Sequence, residues 1–294
     1  MHKYLRAIGF SELKKMKDIN KLLYSAQKDA QEISYASLED DVMLAEYNFY
    51  ISENMGICIR GEYDEENQFF TEYYVPFFKG NQITTYADIV LERHADKESY
   101  VGIYDDLRVG VGIIFYLQNV IPYLKMKNNN HFSIKQAAIS LSGMSVEGKI
   151  IMPLSKTQKE RIKSSKIWNE RKKWVEEAKC GNPDAMEYVT LSDMDTYAAI
   201  NNMLQKHEDV LSMVDSSFAP YGLECDRYAI IGEIKDQFKY RNPFTGEYIW
   251  LMVIEANEML FDICINEQDL LGEPEVGRRF KGIIWLQGTV HFPE

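Results

Sequence analysis

The sequence has few cysteines, no long apolar run and no complete catalytic motif. Its four cysteines stand singly and far apart, with no CxxC pair, which argues against a zinc ribbon or a disulfide-stapled secreted domain. The longest apolar run, VGVGIIFYL at 109–117, has nine residues, whereas a membrane-spanning helix needs about 20. The opening MHKYLRAIGF has no signal-peptide core. These absences predict a cytoplasmic protein with reduced thiols and no membrane partner.

Each motif that resembles a catalytic or cofactor signature is broken at a defining position. GMSVEG at 143–148 lacks the second glycine of a nucleophile elbow, and VGVG at 109–112 lacks the third glycine of a dinucleotide fingerprint. The five histidines show no metal-ligand spacing. We therefore predict no cofactor, no metal and no catalytic residue. An enzyme whose site is assembled from residues distant in sequence is kept as an alternative.

Basic residues are also in deficit, at 33 against 45 acidic ones, so the net charge is −12. A charge of this sign repels polyanions at long range, which disfavours nucleic acid as a partner without excluding a local basic site. The 294 residues are 46% hydrophobic and rich in aromatic side chains. That composition is typical of a globular protein and suffices for two or three small cores.

Residues 1–154 show the pattern of an N-terminal α+β domain. After Ser11, a candidate N-cap, apolar residues recur at helical spacing, which predicts an amphipathic helix covering a sheet. From residue 42 the period changes to two, and this predicts an antiparallel meander. Further strands are predicted at 87–93, 99–104 and 107–118, with a hairpin around 145–148.

The meander is strongly acidic. Between 39 and 75 there are ten acids and one base, Arg60. Arg60 alternates with the apolar residues of its strand, so the sequence predicts one solvated acidic sheet face. A docking surface for a basic partner is the alternative interpretation.

Residues 155–222 are predicted to form a helical segment, and 223–294 a C-terminal β-barrel-like domain. The segment has helical periodicity, with Gly181 and Pro183 marking the end of one helix and the start of the next. After it, short strands with internal glycines are typical of a small barrel, either OB-like or SH3-like.

Four residues of the stretch GRRFKGIIWLQG are candidates for ligand binding: Arg278, Arg279, Lys281 and Trp285. Loops at barrel mouths are where OB-like folds bind nucleic acid or sugar, and aromatic side chains stack on bases. The alternative is structural, because Glu273 and Glu275 lie just upstream and can pair with the arginines.

The region 156–179 has nine bases and predicts a basic helix. It is either a patch for RNA or an anionic membrane surface, or an internal clamp that docks on the acidic face.

Several stretches together resemble an uncharacterised family of about this length from Gram-positive anaerobic bacteria. They are MHKYLRAIGFS, IIFYLQN, FAPYGLECDRYAIIGEI, NPFTGEYIW and INEQDLLGEPEVGRRFKGIIWLQG. The resemblance covers essentially the full length, and the last stretch is its most specific part. It implies a bacterial cytosolic protein and a domain of unknown function, with no activity or site residue assigned.

Three hypotheses on function follow. The leading one is a non-catalytic protein that binds a protein partner or a small ligand. The second is a nucleic-acid-binding protein using the barrel and the helix at 156–179, which predicts steep salt dependence. The third is the enzyme with a hidden site.

Overall fold

The computed structural model describes residues 2–38, 42–93, 99–128, 135–153, 170–171, 173–178, 180–192, 194, 214–223 and 225–292. Its strands are β1 (Glu32–Ser37), β2 (Met43–Ser52), β3 (Met55–Tyr63), β4 (Phe69–Phe78), β5 (Thr85–Ala87), β6 (Val90–Arg93), β7 (Tyr100–Asp106), β8 (Val111–Leu117), β9 (Ala137–Ile151), β10 (Ser217–Pro220), β11 (Arg227–Arg241), β12 (Tyr248–Ala256), β13 (Met259–Asn266), β14 (Leu270–Leu271) and β15 (Arg279–His291). Helices α1 (Met16–Lys28) and α2 (Val120–Asn128) and two 3-10 helices, Lys3–Ile8 and Glu267–Asp269, accompany them.

The first sheet is an antiparallel meander in the order β1-β2-β3-β4, as the period-two pattern predicts. Helix α1 packs on β2 and β3 and buries Ile19 and Ala26, so the predicted covering helix is confirmed. The helix begins at Met16 with Lys15 at its N-cap position, so Ser11 is not its N-cap. The backbone N–H of Ser11 donates to the Glu247 carboxylate at 3.2 Å.

The opposite face of this sheet is buried at its centre. Glu46 and Arg60 lie directly across from each other on β2 and β3, and they are 4% and 1% exposed. Helix α2 packs over β1 and β2, and Tyr116 of β8 contacts Arg60. A period-two pattern shows which residues share a face, but not what covers it. The predicted solvated face is therefore wrong for this pair.

Five strands close a barrel in the order β11-β12-β13-β9-β15 and back to β11. All neighbours are antiparallel except β13 and β9, which are parallel. Apolar side chains such as Ile254, Phe261 and Phe280 are fully buried in its core. The barrel expected near the C-terminal end of the sequence is thus present, and it recruits β9 from before residue 154.

Strand β15 runs through both parts of the larger sheet, the barrel and its extension. Its first half pairs with β11, and then Gln287 and Gly288 pair with β8, from which the larger sheet continues through β7 to β6. Strand β9 pairs with β15 along almost all of its length. The two long strands therefore join the barrel to the rest of the larger sheet.

Strand β9 is continuous, so the hairpin predicted around 145–148 is wrong. Gly148 faces Gly282 across β9 and β15. A Cβ atom at Gly148 would lie 2.5 Å from the Phe280 ring, and one at Gly282 would lie 2.6 Å from it. The two glycines make room for a buried ring inside a barrel. Glycine at 148 therefore marks close packing and not a turn.

The domain boundaries at 154 and 222 stay predictions. Between them the structure describes helical backbone at 173–178 and 183–192, where the Trp174 and Tyr188 rings stack with centroids 4.8 Å apart. Residues 154–169 and 195–213, which hold most of the predicted helical segment, lie outside the described residues. None of the helices in the described part of the chain has the length and hydropathy needed to span a membrane.

Candidate functional site

Arg279, one of the four predicted ligand-binding residues, is 5% exposed and bonded to the backbone. Its Nε–H donates to the Met152 carbonyl at 3.0 Å, and its Nη1–H donates to the Val214 carbonyl at 2.6 Å. Met152 directly precedes residues 153–213, and Val214 directly follows them. One guanidinium therefore ties both ends of residues 153–213 to the barrel.

Arg278 and Trp285 also have internal partners. Arg278 pairs with Glu275 at 2.7 Å, as its upstream acid suggests, and donates to the Glu273 carbonyl. Trp285 is 6% exposed, donates to Asp226 at 2.7 Å and stacks on Tyr4. Ligand binding by these residues stays a prediction, and the structure does not bring the four side chains into one pocket.

Lys281 lines a cleft of about 430 Å³ on the outside of the barrel, which we call the barrel cleft. This volume lies within the range of small-ligand sites, about 300 to 1,000 Å³. Strands β9, β11 and β15 supply most of its wall. The lining residues are Glu147, Gly148, Lys149, Ser217, Tyr221, Ala229, Ile230, Ile231, Leu271, Lys281, Gly282 and Ile283.

Two lysines face each other in the barrel cleft. Lys281 is directly opposite Lys149 across β15 and β9, and opposite Ile231 across β15 and β11. Like charges at directly opposite positions destabilise a sheet. Neither ammonium forms an ion pair with any residue in the described ranges. The arrangement can hold an anion above an apolar floor.

A second, polar cleft of about 140 Å³ lies between the first sheet and the elements β8, α2 and β15; we call it the interface cleft. Its lining residues are Glu32, Ser34, Glu46, Asn48, Cys58, Arg60, Val75, Phe77, Lys79, Tyr116, Gln118, Asn119, Pro122 and Thr289. Beside the cleft, glutamine side chains connect the larger sheet to the first sheet through hydrogen bonds. Gln118 donates to Gln287 at 2.7 Å, and Gln287 donates to the Pro76 carbonyl at 2.9 Å.

Arg60 forms the base of the interface cleft and has four hydrogen bonds. It donates to Glu46 at 2.5 Å, to the hydroxyls of Tyr73 at 3.0 Å and Tyr116 at 2.7 Å, and to the Gln118 carbonyl at 3.0 Å. Burial raises the pKa of Glu46, and the Arg60 charge opposes that rise. Burial also disfavours the charge on Arg60, but the combined effect of Glu46, Tyr116, Tyr73 and Cys58 outweighs it, so the pKa of Arg60 is well above its usual value.

One contact has the residue types of a nucleophile and its base. Ser140 Oγ lies 2.8 Å from His291 Nε2. Ser140 is only 3% exposed, and the hydrogen bonds of the described residues place no carboxylate on the ring's other nitrogen. A nucleophile needs access and an orienting partner for its base. We therefore interpret this contact as a structural hydrogen bond. Across the described ranges no three metal-ligating side chains come together.

The four cysteines are free thiols in two environments. Cys58 and Cys264 are buried, whereas Cys180 and Cys225 are exposed. Burial raises the pKa of Cys58 to about 12 and also raises that of Cys264. The thiolate is the reactive form, so both buried groups are protected by access and by protonation.

We expect a disulfide reagent such as dithionitrobenzoate to titrate two thiols in the native protein and four in denaturant. The double variant Cys180→Ser, Cys225→Ser should remove the native reaction while leaving the fold unchanged. Fast labelling of a third thiol in the native protein would contradict the described burial of Cys58 and Cys264.

Sequence reasoning missed Lys149 and the pair of Glu46 and Arg60. For the pair there was a signal: Arg60 is the one base among ten acids in the stretch 39–75. An isolated base on a strand needs a counter-charge if it is buried. For Lys149 there was none, because its partner Lys281 lies 132 positions further along the chain.

The barrel, its attached sheet, the meander and the helices define a mixed α and β protein. The chain belongs to the family described as "Domain of unknown function, E. rectale Gene description (DUF3881)", whose model matches residues 5–288. This confirms the resemblance drawn from the sequence to a family without an assigned activity. No curated protein and no solved structure matches the chain.

Proposed function

We propose that this is a non-catalytic cytoplasmic protein that binds a small anionic amphipathic ligand in the barrel cleft. The observation that carries the proposal is the facing pair Lys149 and Lys281, which has no described counter-ion. An anion bound between them removes the repulsion of like charges. The four cysteines are free thiols, which supports location of the protein in a reducing compartment such as the cytoplasm.

Apolar side chains in the barrel cleft can contact the apolar part of such a ligand. Ile231 and Ile283 lie beside the lysines, and Leu271, which is 73% exposed, stands at the side. Exposed apolar side chains grouped around a few polar ones are typical of ligand pockets. A straight-chain carboxylate or phosphate ester has the matching distribution of charge and apolar surface.

We also infer that the barrel is OB-like rather than SH3-like, with its strand order cyclically permuted. If β11 is counted first, the meander β11-β12-β13 is followed around the barrel by β9 and then β15. In an OB barrel the third strand is likewise followed by the fifth and the fourth. We propose that most of 155–213 is helical, as its periodicity predicts.

The surroundings of the barrel favour a small ligand over nucleic acid. OB folds bind oligonucleotides on their second and third strands, which correspond to β12 and β13. Here Ile249 and Cys264 of that face pack in one cluster with Leu5 and Ile8 of the first 3-10 helix. The Asn242 side chain also donates to the Ile8 carbonyl at 2.9 Å.

Titration calorimetry with octanoate and with octyl phosphate tests the proposal, and octanol serves as the uncharged control. We expect at least one of the two anions to bind. Lys281→Met and Lys149→Met should each lower its affinity by about tenfold, since each removes one charged partner. Lys235→Met, which changes a barrel lysine already paired with Glu233 and Glu255, is the matched control.

Equal affinity for octanol and the anions, or unchanged affinity in both cleft variants, would overturn the assignment of the lysines. Binding of single-stranded RNA that weakens steeply with salt and is lost in Lys281→Met would favour the nucleic-acid hypothesis instead.

A further inference from the structure

The interface cleft holds two opposite charges that one phenol keeps apart. Lys79 Nζ donates to the Tyr50 hydroxyl at 2.6 Å, and that hydroxyl donates to Glu32 at 2.6 Å. Lys79 and Glu32 form no ion pair with each other, nor with any other residue in the described part of the chain. Each charge at the rim is therefore available to a ligand group of the opposite sign.

Deeper in the cleft, only one of the two carboxylate oxygens of Glu46 accepts a hydrogen bond from the described residues. Its Oε1 accepts from Arg60, but its Oε2 accepts no hydrogen bond from the described residues, although the side chain is 95% buried. Glu46 lines the cleft, and Glu32 is close enough to raise its pKa electrostatically. The Oε2 atom is not enclosed by protein atoms but open to the cleft, so Glu46 offers an acceptor to a ligand N–H group.

Arg60 does not compete for an anion at this site. Four of its five N–H directions are taken by Glu46, Tyr73, Tyr116 and the Gln118 carbonyl. Lys79 is thus the principal cation available to a ligand carboxylate. With Glu32 and Glu46 as carboxylates and Arg60 and Lys79 as cations, the cleft is neutral, and either a lone anion or a lone cation would leave a net charge inside it.

We propose that the interface cleft binds a small zwitterion, of the size of a simple amino acid. Its ammonium group would lie between Glu32 and the free Oε2 of Glu46, and its carboxylate would face Lys79. A volume of about 140 Å³ admits only a few non-hydrogen atoms beyond the two charged groups. This site is independent of the barrel cleft, since the two have no lining residue in common.

Calorimetric titration with four zwitterions tests the proposal: L-alanine, L-serine, β-alanine and glycine betaine. Propionate, propylamine and propionamide are the matched anion, cation and neutral molecule. We expect at least one primary-amine zwitterion to bind, and each matched molecule to bind at least about tenfold more weakly. Glycine betaine, which has no N–H to donate to Glu46, should be weaker than the amino acids.

Two rim variants identify the site without disturbing the buried ion pair. Lys79→Met and Glu32→Gln should each lower the affinity for the best amino acid by at least about tenfold, and Lys79→Arg should restore most of it. Lys149→Met, in the barrel cleft, is the control and should leave the affinity unchanged. Circular dichroism of each variant checks that the fold is intact.

The proposal is overturned if no zwitterion binds with a Kd below about 10 mM. It is also overturned if propionate or propylamine binds as tightly as the amino acids, or if the folded rim variants bind like the parent. Failure of octanoate and octyl phosphate to bind would count against the barrel cleft alone, because a different set of probes and variants tests each cleft.

Discussion

Arg60→Met is expected to lower the free energy of unfolding by about 3 to 5 kcal/mol. Arg60 is 1% exposed and donates to Glu46, so its loss leaves a carboxylate buried without a counter-charge. It also leaves the Gln118 carbonyl and two tyrosine hydroxyls without their donor. Urea unfolding followed by circular dichroism measures the loss. Arg241→Met, at an exposed arginine on β11, should cost about 1 kcal/mol or less.

The double variant Arg60→Met, Glu46→Gln separates the ion pair from the packing. Its destabilisation should be smaller than the sum of the two single variants, because the second change removes the unpaired charge left by the first. Additive losses would show that the pair is not coupled, contrary to its 2.5 Å hydrogen bond.

The single variant should also respond to pH in a defined direction. Burial raises the pKa of Glu46, and without Arg60 that rise is opposed by the smaller effect of Lys79 alone. A carboxyl whose pKa is higher in the folded state than in the unfolded state favours folding at low pH. That advantage is lost as the pH rises through the folded-state pKa. Arg60→Met should thus be more stable at about pH 5 than at about pH 8, and the double variant should lack this difference.

Arg279→Met is expected to cost about 1.5 to 3 kcal/mol, the range for hydrogen bonds of a charged group, since two carbonyls lose the guanidinium as donor. The carbonyls belong to Met152 and Val214, so the change also frees both ends of residues 153–213. We expect this stretch to become the first site of limited proteolysis. The same urea experiment gives the stability, and mass spectrometry of the fragments locates the cut.

The neighbouring Arg278 offers a matched control. It is paired with Glu275 near the surface, where one ion pair contributes at most about 1 kcal/mol. Arg278→Met should therefore leave both the stability and the cleavage pattern almost unchanged. If both variants behave alike, Arg279 does not anchor the stretch.

Local patterns predicted the local parts of the fold. The period-two pattern from residue 42 predicts the antiparallel meander that contains β2, β3 and β4, and the helical spacing before it predicts α1, which covers that sheet. These elements pair with neighbours that are close in sequence, so period and turns suffice to find them.

The closure of the barrel was not predictable in the same way. Strand β9 pairs with β15 from more than 100 positions away and runs parallel to β13. The sequence of β9 does not indicate that it pairs with β13 and β15. Gly148 is the one residue that reflects this packing, and a glycine at this position is equally consistent with a turn. Interdigitated packing of this kind is defined by tertiary contacts and not by local propensity.

The candidate sites show the same limit. The cations of GRRFKG stood out by composition, but composition cannot tell Arg279, which is buried on two carbonyls, from Lys281, which lines a cleft. Both clefts are assembled from strands that are distant in sequence, so no local sequence motif predicts their position.

The position of β15 in the chain has a consequence for synthesis. Every other strand precedes it, yet β15 pairs with β8, β9 and β11. While a ribosome translates this message, the barrel cannot close until residues 279–291 have left the exit tunnel. Until then β9 and β11 expose edges that can pair with other nascent chains. We expect such chains to depend on chaperones that hold them open during translation.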